Sequence, residues 1–207
     1  MDSVKLVADS IVFNYPKKSV LRGVYLELKN NSICGLIGIN GSGKSTLIKI
    51  LSGLLSPTNG FVSISGKVYN APLLKERFSQ IAYLTQDSFL PDDLSVIKMI
   101  RMFPRESSQL IDDEIITKYL NQKIYSLSGG ERRYLEIRLI LSLDRQFVLL
   151  DEPFTGLEPI KIEKVIQLIN KEKENGRAIL LTDHYQQYVL STIDSGYTLS
   201  DGYCKPI

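Results

Sequence analysis

The run GINGSGKST at positions 38–46 has the residue types and the spacing of a loop that binds phosphate groups. Its glycines let the backbone turn through positive φ and approach an anion closely, so that successive N–H groups can point at negative charge. Lys44 would neutralise the terminal phosphates, and the Ser45 hydroxyl would ligate Mg²⁺. The sequence therefore predicts a phosphate site formed by Gly38, Asn40, Gly41, Ser42, Gly43, Lys44, Ser45 and Thr46.

Two acidic residues, Asp151 and Glu152, follow an apolar run at residues 147–150. If that run is a buried parallel strand, both carboxylates stand at its carboxyl end, where ligands sit in open α/β sheets. Asp151 would then complete a metal shell, and Glu152 would act as the catalytic group that polarises an attacking water. The alternative is a solvated acidic loop end, which a phosphate loop on the same sheet disfavours.

The run LSGGE, from Leu127 to Glu131, predicts a second anion site. Ser128 and the backbone of Gly129 and Gly130 stand at the start of a helix, where free N–H groups favour negative charge. One complete phosphate cradle is already present in the chain. A second one makes sense if it caps the terminal phosphate that is held by Lys44 of another subunit. Helix capping alone is the alternative.

Three further residues are weaker candidates for the same site. His184 is the single histidine, and as a neutral imidazole it could bond the terminal phosphate or the attacking water. Gln86 follows an apolar run, and its amide oxygen could reach Mg²⁺ or water. Tyr15 precedes Lys17 and Lys18 and could stack on a purine. Taken alone, a residue of each of these three kinds is more often an incidental surface or packing residue.

The elements that must position these residues follow from the spacing of apolar side chains. Alternation of apolar and polar residues predicts half-buried antiparallel strands near the amino terminus, at residues 4–6, 11–13 and 24–28. Apolar runs predict further strands, at residues 33–37, 61–64, 81–84, 147–150 and 178–181, and Asp201-Gly202 predicts a closing hairpin. Helical spacing predicts helices over residues 45–55, 92–103, 108–120, 129–143 and 159–174.

Strands alternate with helices in the second half of the sequence, which predicts a parallel sheet. The predicted fold class is therefore α/β, of the P-loop NTPase (RecA-like) type. It has a mostly parallel sheet, an amino-terminal antiparallel β subdomain and a short α-helical subdomain. We expect a single domain over residues 1–207, in which residues 1–86 and 144–207 form the β subdomain and the core. Residues 87–143 would form the helical subdomain that carries the LSGGE run.

Composition limits the classes of partner. The 207 residues include 25 Lys and Arg against 23 Asp and Glu, so no large basic field attracts nucleic acid. The 2 cysteines cannot build a disulfide framework, and Cys34 falls in an apolar run as a small buried hydrophobe, which fits a reducing compartment. No run approaches the roughly 20 apolar residues that a membrane helix needs. We expect a chain that neither spans a membrane nor is secreted.

With its motifs in this order, the sequence resembles the nucleotide-binding subunits of ABC transporters over essentially its whole length. Residues 38–46 match the Walker A loop, residues 127–131 the signature, and residues 147–151 the Walker B strand. The stretches GERRYLEIRLIL and LLDEPFTGLEPI are similar to the ATPase of the lipopolysaccharide-export transporter and to branched-chain amino-acid import ATPases.

The resemblance implies a role for each of the weaker candidates. Tyr15 matches the position that stacks on adenine, and Gln86 matches the Q-loop glutamine. Glu152 matches the catalytic carboxylate, and His184 matches the switch histidine. The implied cofactors are ATP and Mg²⁺.

The resemblance also implies partners and a location. Two ABC ATPase subunits, here expected as a homodimer, sandwich ATP between the Walker A loop of one and the signature of the other. They act on separate transmembrane permease subunits, and no nucleic acid is involved. The location implied is cytoplasmic and peripheral at the inner face of the cell membrane, with membrane contact only through the permease.

The sequence departs from the family pattern in two places. Glu158 occupies a position where aspartate is usual, which changes contacts across the expected dimer. The segment between Gln86 and the signature is short, which indicates a specialised permease partner that Phe89, Leu90 and Pro91 would contact.

Three hypotheses of function follow. The first is the ATP-binding and ATP-hydrolysing subunit of an ABC transporter. The second is a soluble, non-transport ABC protein, which usually needs two cassettes in one chain or an inserted coiled coil, and the sequence has neither. The third is a regulatory cassette with weak hydrolysis, which predicts the loss of Glu152 or His184, and both are present.

Overall fold

Two β-sheets and a set of helices form the protein in the computed structural model, which describes residues 4–16, 18–69 and 79–207. Lys17, which the sequence places near Tyr15, lies outside the described residues. The strands are β1 Lys5–Tyr15, β2 Lys18–Lys29, β3 Ser32–Ile37, β4 Asn59–Ile64, β5 Lys67–Tyr69, β6 Ile81–Leu84, β7 Phe147–Asp151, β8 Ala178–Thr182, β9 Ser195–Ser200 and β10 Tyr203–Pro206. The helices are α1 Lys44–Ser52, α2 Val96–Met102, α3 Gly129–Leu141, α4 Pro159–Glu174 and α5 Gln186–Thr192, with 3₁₀ segments at Arg105–Asp112, Ile116–Tyr119 and Ile124–Ser126.

The smaller sheet is antiparallel and has the strand order β2-β1-β4-β5. In β1 the buried residues alternate through Leu6 and Ala8 and resume at Ile11, because a register shift lies between Ala8 and Ile11. Ser10, within that irregularity, has a φ of 52°. The extra residue of a β-bulge therefore keeps both halves of the strand facing the same core.

The larger sheet has the strand order β10-β9-β3-β8-β7-β6. All its neighbours pair in parallel except β9 and β10, which form the closing hairpin. The parallel strands β3, β6, β7 and β8 therefore end at the same edge, and the phosphate loop, Gln86, Glu152 and His184 follow them there. The predicted fold class is confirmed, whereas the division into subdomains stays a prediction.

The larger sheet is apolar on both faces because alternate residues of its strands enter two different cores. In β7, Val148 and Leu150 pack with the helices of residues 96–141, while Leu149 packs toward the smaller sheet. Leu180 and Leu181 of β8 divide in the same way. Full burial of one such leucine stabilises the fold by about 1.5–3 kcal/mol. This burial explains why the strands are continuous apolar runs rather than alternating ones.

The helical region differs from the prediction over residues 108–120. Where one α-helix was expected, the 3₁₀ segments at 105–112 and 116–119 are separated at Asp113. The carboxylate of Asp113 accepts hydrogen bonds from the backbone N–H groups of Ile115 at 3.0 Å and Ile116 at 3.3 Å. A side chain that accepts hydrogen bonds from the backbone N–H groups that follow it competes with the hydrogen bonds of an α-helix. Here this competition interrupts the predicted helix at Asp113.

Several element boundaries also differ. The helix predicted over 45–55 ends at Ser52, because Gly53 has a φ of 86° and its N–H bonds to the carbonyl of Ile50. The helix predicted from Asp92 begins only after Ser95. The prediction also missed β5 and α5. Among the helices of the described ranges, none combines the length and the apolar character that crossing a bilayer requires.

Candidate functional site

A cavity of about 570 Å³ lies at the edge of the larger sheet where the parallel strands end. It collects residues from segments that are far apart in the sequence, and most of them were predicted site residues. Its lining consists of Tyr15, Lys18, Val20, Asn40, Gly41, Gly43, Lys44, Ser45, Thr46, Gln86, Glu152 and His184. Other predicted residues, namely Gly38, Ser42, Ser128, Gly129, Gly130 and Asp151, are not part of this lining.

The phosphate loop has the backbone that its glycines predict. Gly41 and Gly43 have φ values of 77° and 107°, a region that L side chains rarely adopt. A Cβ on Gly43 would also lie 2.8 Å from Val20, and one on Gly38 would lie 2.5 Å from the carbonyl oxygen of Leu199. The glycines are therefore required by conformation and by close approach, and they leave the amino end of α1 open toward the cavity.

Lys44 is nearly buried and donates to the loop itself. Its Nζ lies 2.7 Å from the carbonyl oxygen of Gly38 and 3.1 Å from that of Ile39. Burial lowers the pKa of Lys44, while the charges of Glu152 and Asp151 act in the opposite direction. An anion in the cavity would stabilise the charged ammonium and give it a better partner than two neutral carbonyls.

Asp151 is 1% exposed and lies at the end of β7, directly before Glu152. The hydroxyl groups of Ser45 and Tyr83 donate to its two oxygens, each at 3.4 Å. Burial raises the pKa of Asp151, and the hydrogen bond from Ser45 opposes that rise. The geometry favours a bound cation, which would stabilise the ionised carboxylate against its burial.

The three predicted metal ligands share a second, adjoining cavity of about 210 Å³. Ser45, Gln86 and Asp151 line it together with Lys49, Tyr83, Thr85, Asp87 and Ser88. Within the described ranges, no group of three or more His, Cys, Asp and Glu side chains is placed to hold a metal. One carboxylate with a hydroxyl and an amide suits Mg²⁺, which usually takes one or two carboxylates and completes its shell with water and phosphate.

Glu152 has an unusual backbone that aims its side chain at the cavity. Its φ is 52°, in the left-handed region, and its N–H donates to the carbonyl of Thr182 at 2.8 Å. Gln86 Nε2 donates to Glu152 Oε2 at 3.2 Å, and His184 Nδ1 lies 3.8 Å from the same oxygen. Three of the four predicted catalytic residues, which follow three different strands, therefore meet at this oxygen, whereas the fourth, Lys44, donates to the phosphate loop.

Asp183, which sequence reasoning missed, fixes the loop of His184. It is 3% exposed and accepts from the backbone N–H of Phe154 at 2.8 Å and of Tyr185 at 3.0 Å. Its carboxylate also lies 3.5 Å from His184 Nδ1. Asp183 thus connects the loop after β8 to the loop after β7. The signal in the sequence is its position directly after an apolar strand, as with Asp151.

The LSGGE run forms the predicted helix start. The backbone N–H of Glu131 donates to Ser128 Oγ at 3.2 Å, and the Glu131 carboxylate accepts from the N–H of Ser128 at 2.8 Å. This capping box satisfies the start of α3 within the chain, and the second anion site stays a prediction. Around Gly129 a Cβ would meet nothing within 4 Å, whereas one on Gly130 would lie 2.6 Å from the carbonyl oxygen of Gly156. The signature start is thus open at Gly129 and packed at Gly130.

A parallel sheet whose β3 ends in a phosphate loop and whose β7 ends in an acidic pair defines a P-loop nucleoside-triphosphatase. More specifically, the chain belongs to the ABC transporter family, whose model matches residues 21–155. The predicted family is thereby confirmed. Membership makes the chain a nucleotide-binding cassette with ATPase activity.

Relatives and solved structures agree with this assignment. The lipopolysaccharide export system ATP-binding protein LptB of Acidithiobacillus ferridurans is 32% identical over 95% of this chain and 87% of its own length. LptB of Escherichia coli K12 is 30% identical over 96% of this chain and 88% of its own length. The structure of an ATP binding subunit of an ABC transporter matches with a TM-score of 0.87 and 27% identity, over 97% of this chain and 88% of that one.

Proposed function

We propose that the chain is the ATPase subunit of a transporter whose membrane-spanning subunits are separate polypeptides, and that two copies complete each ATP site. One observation carries the second part. The cavity gathers the phosphate loop, Gln86, Glu152 and His184, but Ser128, Gly129 and Gly130 of the same chain do not line it. A second copy would supply that missing wall from its own signature.

Nucleotide binding would use the residues on both sides of the cavity. Tyr15 is 49% exposed, so its ring could stack on adenine while it keeps its edge contact with Phe13, at 5.0 Å between ring centroids. The N–H groups of the phosphate loop and Lys44 would hold the β and γ phosphates. Ser45, Asp151 and Gln86 would hold Mg²⁺, which neutralises the charge that develops on phosphate oxygens. The shared lining of the smaller cavity supports this set.

Hydrolysis would use Glu152 as the group that polarises the attacking water. Its carboxylate stands beside Gln86 Nε2 and His184 Nδ1, at 3.2 and 3.8 Å. Gln86 and His184 would orient the water and bond the γ-phosphate, so that the nucleophile is in line with the bond that breaks. Lys44 and the signature of the second copy would stabilise the charge on the transferred group.

The permease would dock beside Gln86, and the subunit would then sit in the cytoplasm at the inner face of the cell membrane. Pro91 is exposed and Phe89 is half-buried, while Leu90 is only 6% exposed and packs in the core. The rings of Phe89 and Phe103 lie 6.4 Å apart. Phe89 and Pro91 are therefore the accessible members of the predicted contact.

The experiment that tests the proposal is ATP turnover by the purified chain as a function of protein concentration. Lys44→Ala is the control for contaminating ATPase, since it removes the ammonium that faces the phosphates. We expect the rate per chain to rise with concentration and to level off when the dimer is fully formed.

A rate per chain that is independent of concentration, in a monomeric protein, would contradict the shared site. ATP binding without turnover at any concentration would instead favour a regulatory cassette. Glu158 is relevant to that outcome, because the chain departs from the family pattern at this position, which lies in the expected dimer interface. Its carboxylate lies 3.6 Å from Lys161 Nζ and is 71% exposed.

A further inference from the structure

Arg133 is a buried cation on α3, two residues beyond the signature, and it is only 7% exposed. Buried arginines need partners for their donors. Glu136 on the same helix pairs with this one, three further acceptors lie outside the helix, and its Nε has no hydrogen-bond partner among the described residues. It lies outside the five residues of the signature and outside the Walker A and Walker B segments. Its side chain points at the loops that carry the catalytic groups.

The guanidinium of Arg133 binds three backbone carbonyls from two loops. Nη1 donates to the carbonyl of Thr85 at 2.8 Å, directly before Gln86. Nη2 donates to the carbonyl of Asp151 at 2.6 Å and to that of Glu152 at 3.0 Å. The rigid fork of an arginine therefore fixes the ends of β6 and β7 relative to each other.

Glu152 has a backbone conformation that needs such support. Its φ of 52° is unfavourable for a residue that has a Cβ, and such a conformation persists only where contacts with surrounding residues stabilise it. On one side the N–H of Glu152 bonds to Thr182, and on the other its carbonyl accepts from Arg133. Loss of the second bond would let the peptide relax and would turn the carboxylate away from Gln86 and His184.

Glu136 extends the connection toward the segment next to Gln86. It is 2% exposed, lies 3.1 Å from Arg133 Nη1, and accepts a hydrogen bond from the Ser88 hydroxyl. Ser88 directly precedes Phe89, the accessible part of the proposed permease contact. One ion pair on α3 is thus bonded to the Gln86 loop at two points and to the end of β7 at two more.

We propose that Arg133 is a positioning residue for hydrolysis, which holds the Glu152 carboxylate and the Gln86 loop in register with the signature helix. The proposal rests on the catalytic role proposed above for Glu152. The guanidinium of Arg133 donates to main-chain carbonyls of the two catalytic loops, and an apolar side chain of equal size could not make these bonds. Arg133 would therefore act on the rate of the chemical step and leave nucleotide affinity to the phosphate loop.

Arg133→Lys tests this role, because an ammonium keeps the charge but cannot span three carbonyls with a planar fork. We expect kcat to fall by roughly 10- to 100-fold, since small misplacements of a reacting group have effects of this size. The KM for ATP should stay within about twofold, because no contact to the phosphate loop changes. Arg132→Lys, on the same helix with an exposed partner in Asp92, is the matched control and should keep the wild-type rate.

The double variant Arg133→Lys with Glu152→Gln separates positioning from a general weakening of the fold. If Arg133 acts through Glu152, the double variant will turn over ATP in single-turnover experiments at the rate of Glu152→Gln alone. Multiplication of the two defects, or a wild-type kcat for Arg133→Lys, would overturn the proposal. Equal turnover by wild type and Glu152→Gln would contradict the proposed function itself, whatever Arg133 does.

Ser88→Ala keeps the inference testable should Arg133→Lys fail to fold. It removes the hydroxyl that bonds Glu136 and leaves the buried charge paired. We expect kcat to fall roughly two- to tenfold, the effect of one hydrogen bond, with an unchanged KM. An unchanged kcat in a stable Ser88→Ala protein would show that the bond between Ser88 and Glu136 does not affect catalysis, and it would contradict the proposed coupling of Arg133 to the Gln86 loop.

Discussion

The side-chain amide of Gln86 donates a hydrogen bond of 3.2 Å to the carboxylate of Glu152. Because this bond uses the nitrogen, the amide oxygen of Gln86 remains available to the smaller cavity that it lines with Ser45 and Asp151. One side chain can therefore hold the proposed base with one atom and the proposed metal with the other. Movement of the Gln86 loop would disturb both together, which makes the loop a control point for hydrolysis.

Glu152→Gln should trap the protein in its ATP-bound dimer. The substitution keeps an oxygen that accepts from Gln86 but removes the charge that polarises water, while both anion sites survive. We expect turnover to fall by about 10²- to 10⁴-fold, the usual contribution of a general base. Size-exclusion chromatography with light scattering should detect a dimer in ATP.

Glu174→Gln is the control for the lost charge, because Glu174 is exposed at the end of α4. It should turn over ATP at the wild-type rate and should not accumulate as a dimer. A Glu152→Gln protein that binds ATP yet remains monomeric would count against the two-copy site.

Asp151→Asn should stabilise the nucleotide-free protein while it abolishes hydrolysis. Burial raises the pKa of Asp151, so its charged form is less favourable in the folded chain than in the unfolded one. Asparagine carries no charge and keeps one oxygen, which can accept from one of the two hydroxyls of Ser45 and Tyr83, while its NH₂ group can donate to the other. A gain of about 1 kcal/mol would raise Tm by roughly 2–4 °C for a chain of this size.

The pH dependence of this gain has a fixed sign. A raised carboxyl pKa means that the folded state binds its proton more tightly, so protonation of wild type stabilises the fold as pH falls. The difference in Tm between Asp151→Asn and wild type should therefore be largest near neutral pH and shrink as the pH falls toward the ordinary pKa of aspartate. Differential scanning fluorimetry in EDTA would measure it. A gap that widens as pH falls would show that burial is not the dominant effect.

The part of the fold that carries the site was predictable because its signal is local. The apolar runs at 33–37 and 147–150 are too continuous for strands with one wet face, and each ends in residues with obvious chemistry. By contrast, β5 spans 3 residues and α5 has the sequence QQYVLST, in which only Val189 and Thr192 are buried. Such elements are held by the contacts of the finished fold rather than by their own pattern.

The positions of the candidate site residues at the strand ends were predictable for the same reason. Sequence order placed Gln86, Glu152 and His184 at strand ends, and parallel pairing brings those ends together. The sequence could not indicate that Glu152 has a positive φ, or that Arg133 rather than Arg132 points inward to its carbonyl. Both facts depend on tertiary contacts, namely the bond of Glu152 to Thr182 and the bonds of Arg133 to the ends of β6 and β7, which leave no residue pattern.

Tyr15→Ala should weaken nucleotide binding without changing the chemistry. Stacking of a base on an aromatic ring contributes about 1–3 kcal/mol, which corresponds to roughly 5- to 150-fold in Kd. Tyr15→Phe keeps the ring and should bind ATP as wild type does. Tyr203→Ala is the matched control, because Tyr203 is also 49% exposed but lies on β10. Titration with a fluorescent ATP analogue would measure Kd, and equal Kd values for Tyr15→Ala and Tyr203→Ala would remove Tyr15 from the site.

Ser128→Arg should abolish turnover while ATP binding persists, because Ser128 does not line the cavity of its own chain. Loss of the capping box costs about 1 kcal/mol in either Ser128→Arg or Ser128→Ala, so the smaller variant controls for stability. We expect Ser128→Ala to keep more activity, since it does not obstruct the facing phosphate. A loss of ATP binding equal to the loss of turnover would place the signature in its own chain's site.

Mixing two inactive variants tests the same arrangement by complementation. Lys44→Ala keeps an intact signature, and Ser128→Arg keeps an intact phosphate loop. In a two-fold symmetric dimer each site takes one part from each copy, so their heterodimer contains one complete site. An equal mixture, in which half of the dimers are mixed, should recover up to about a quarter of the wild-type rate. No recovery, with heterodimers demonstrated by tagged subunits, would mean either that each chain builds its site alone or that hydrolysis needs both sites intact.

Single-turnover hydrolysis by the Glu174→Gln control at half-saturating ATP would distinguish these two explanations. Only if both sites of a dimer must be filled does the rate depend on the square of the fraction of sites that hold ATP.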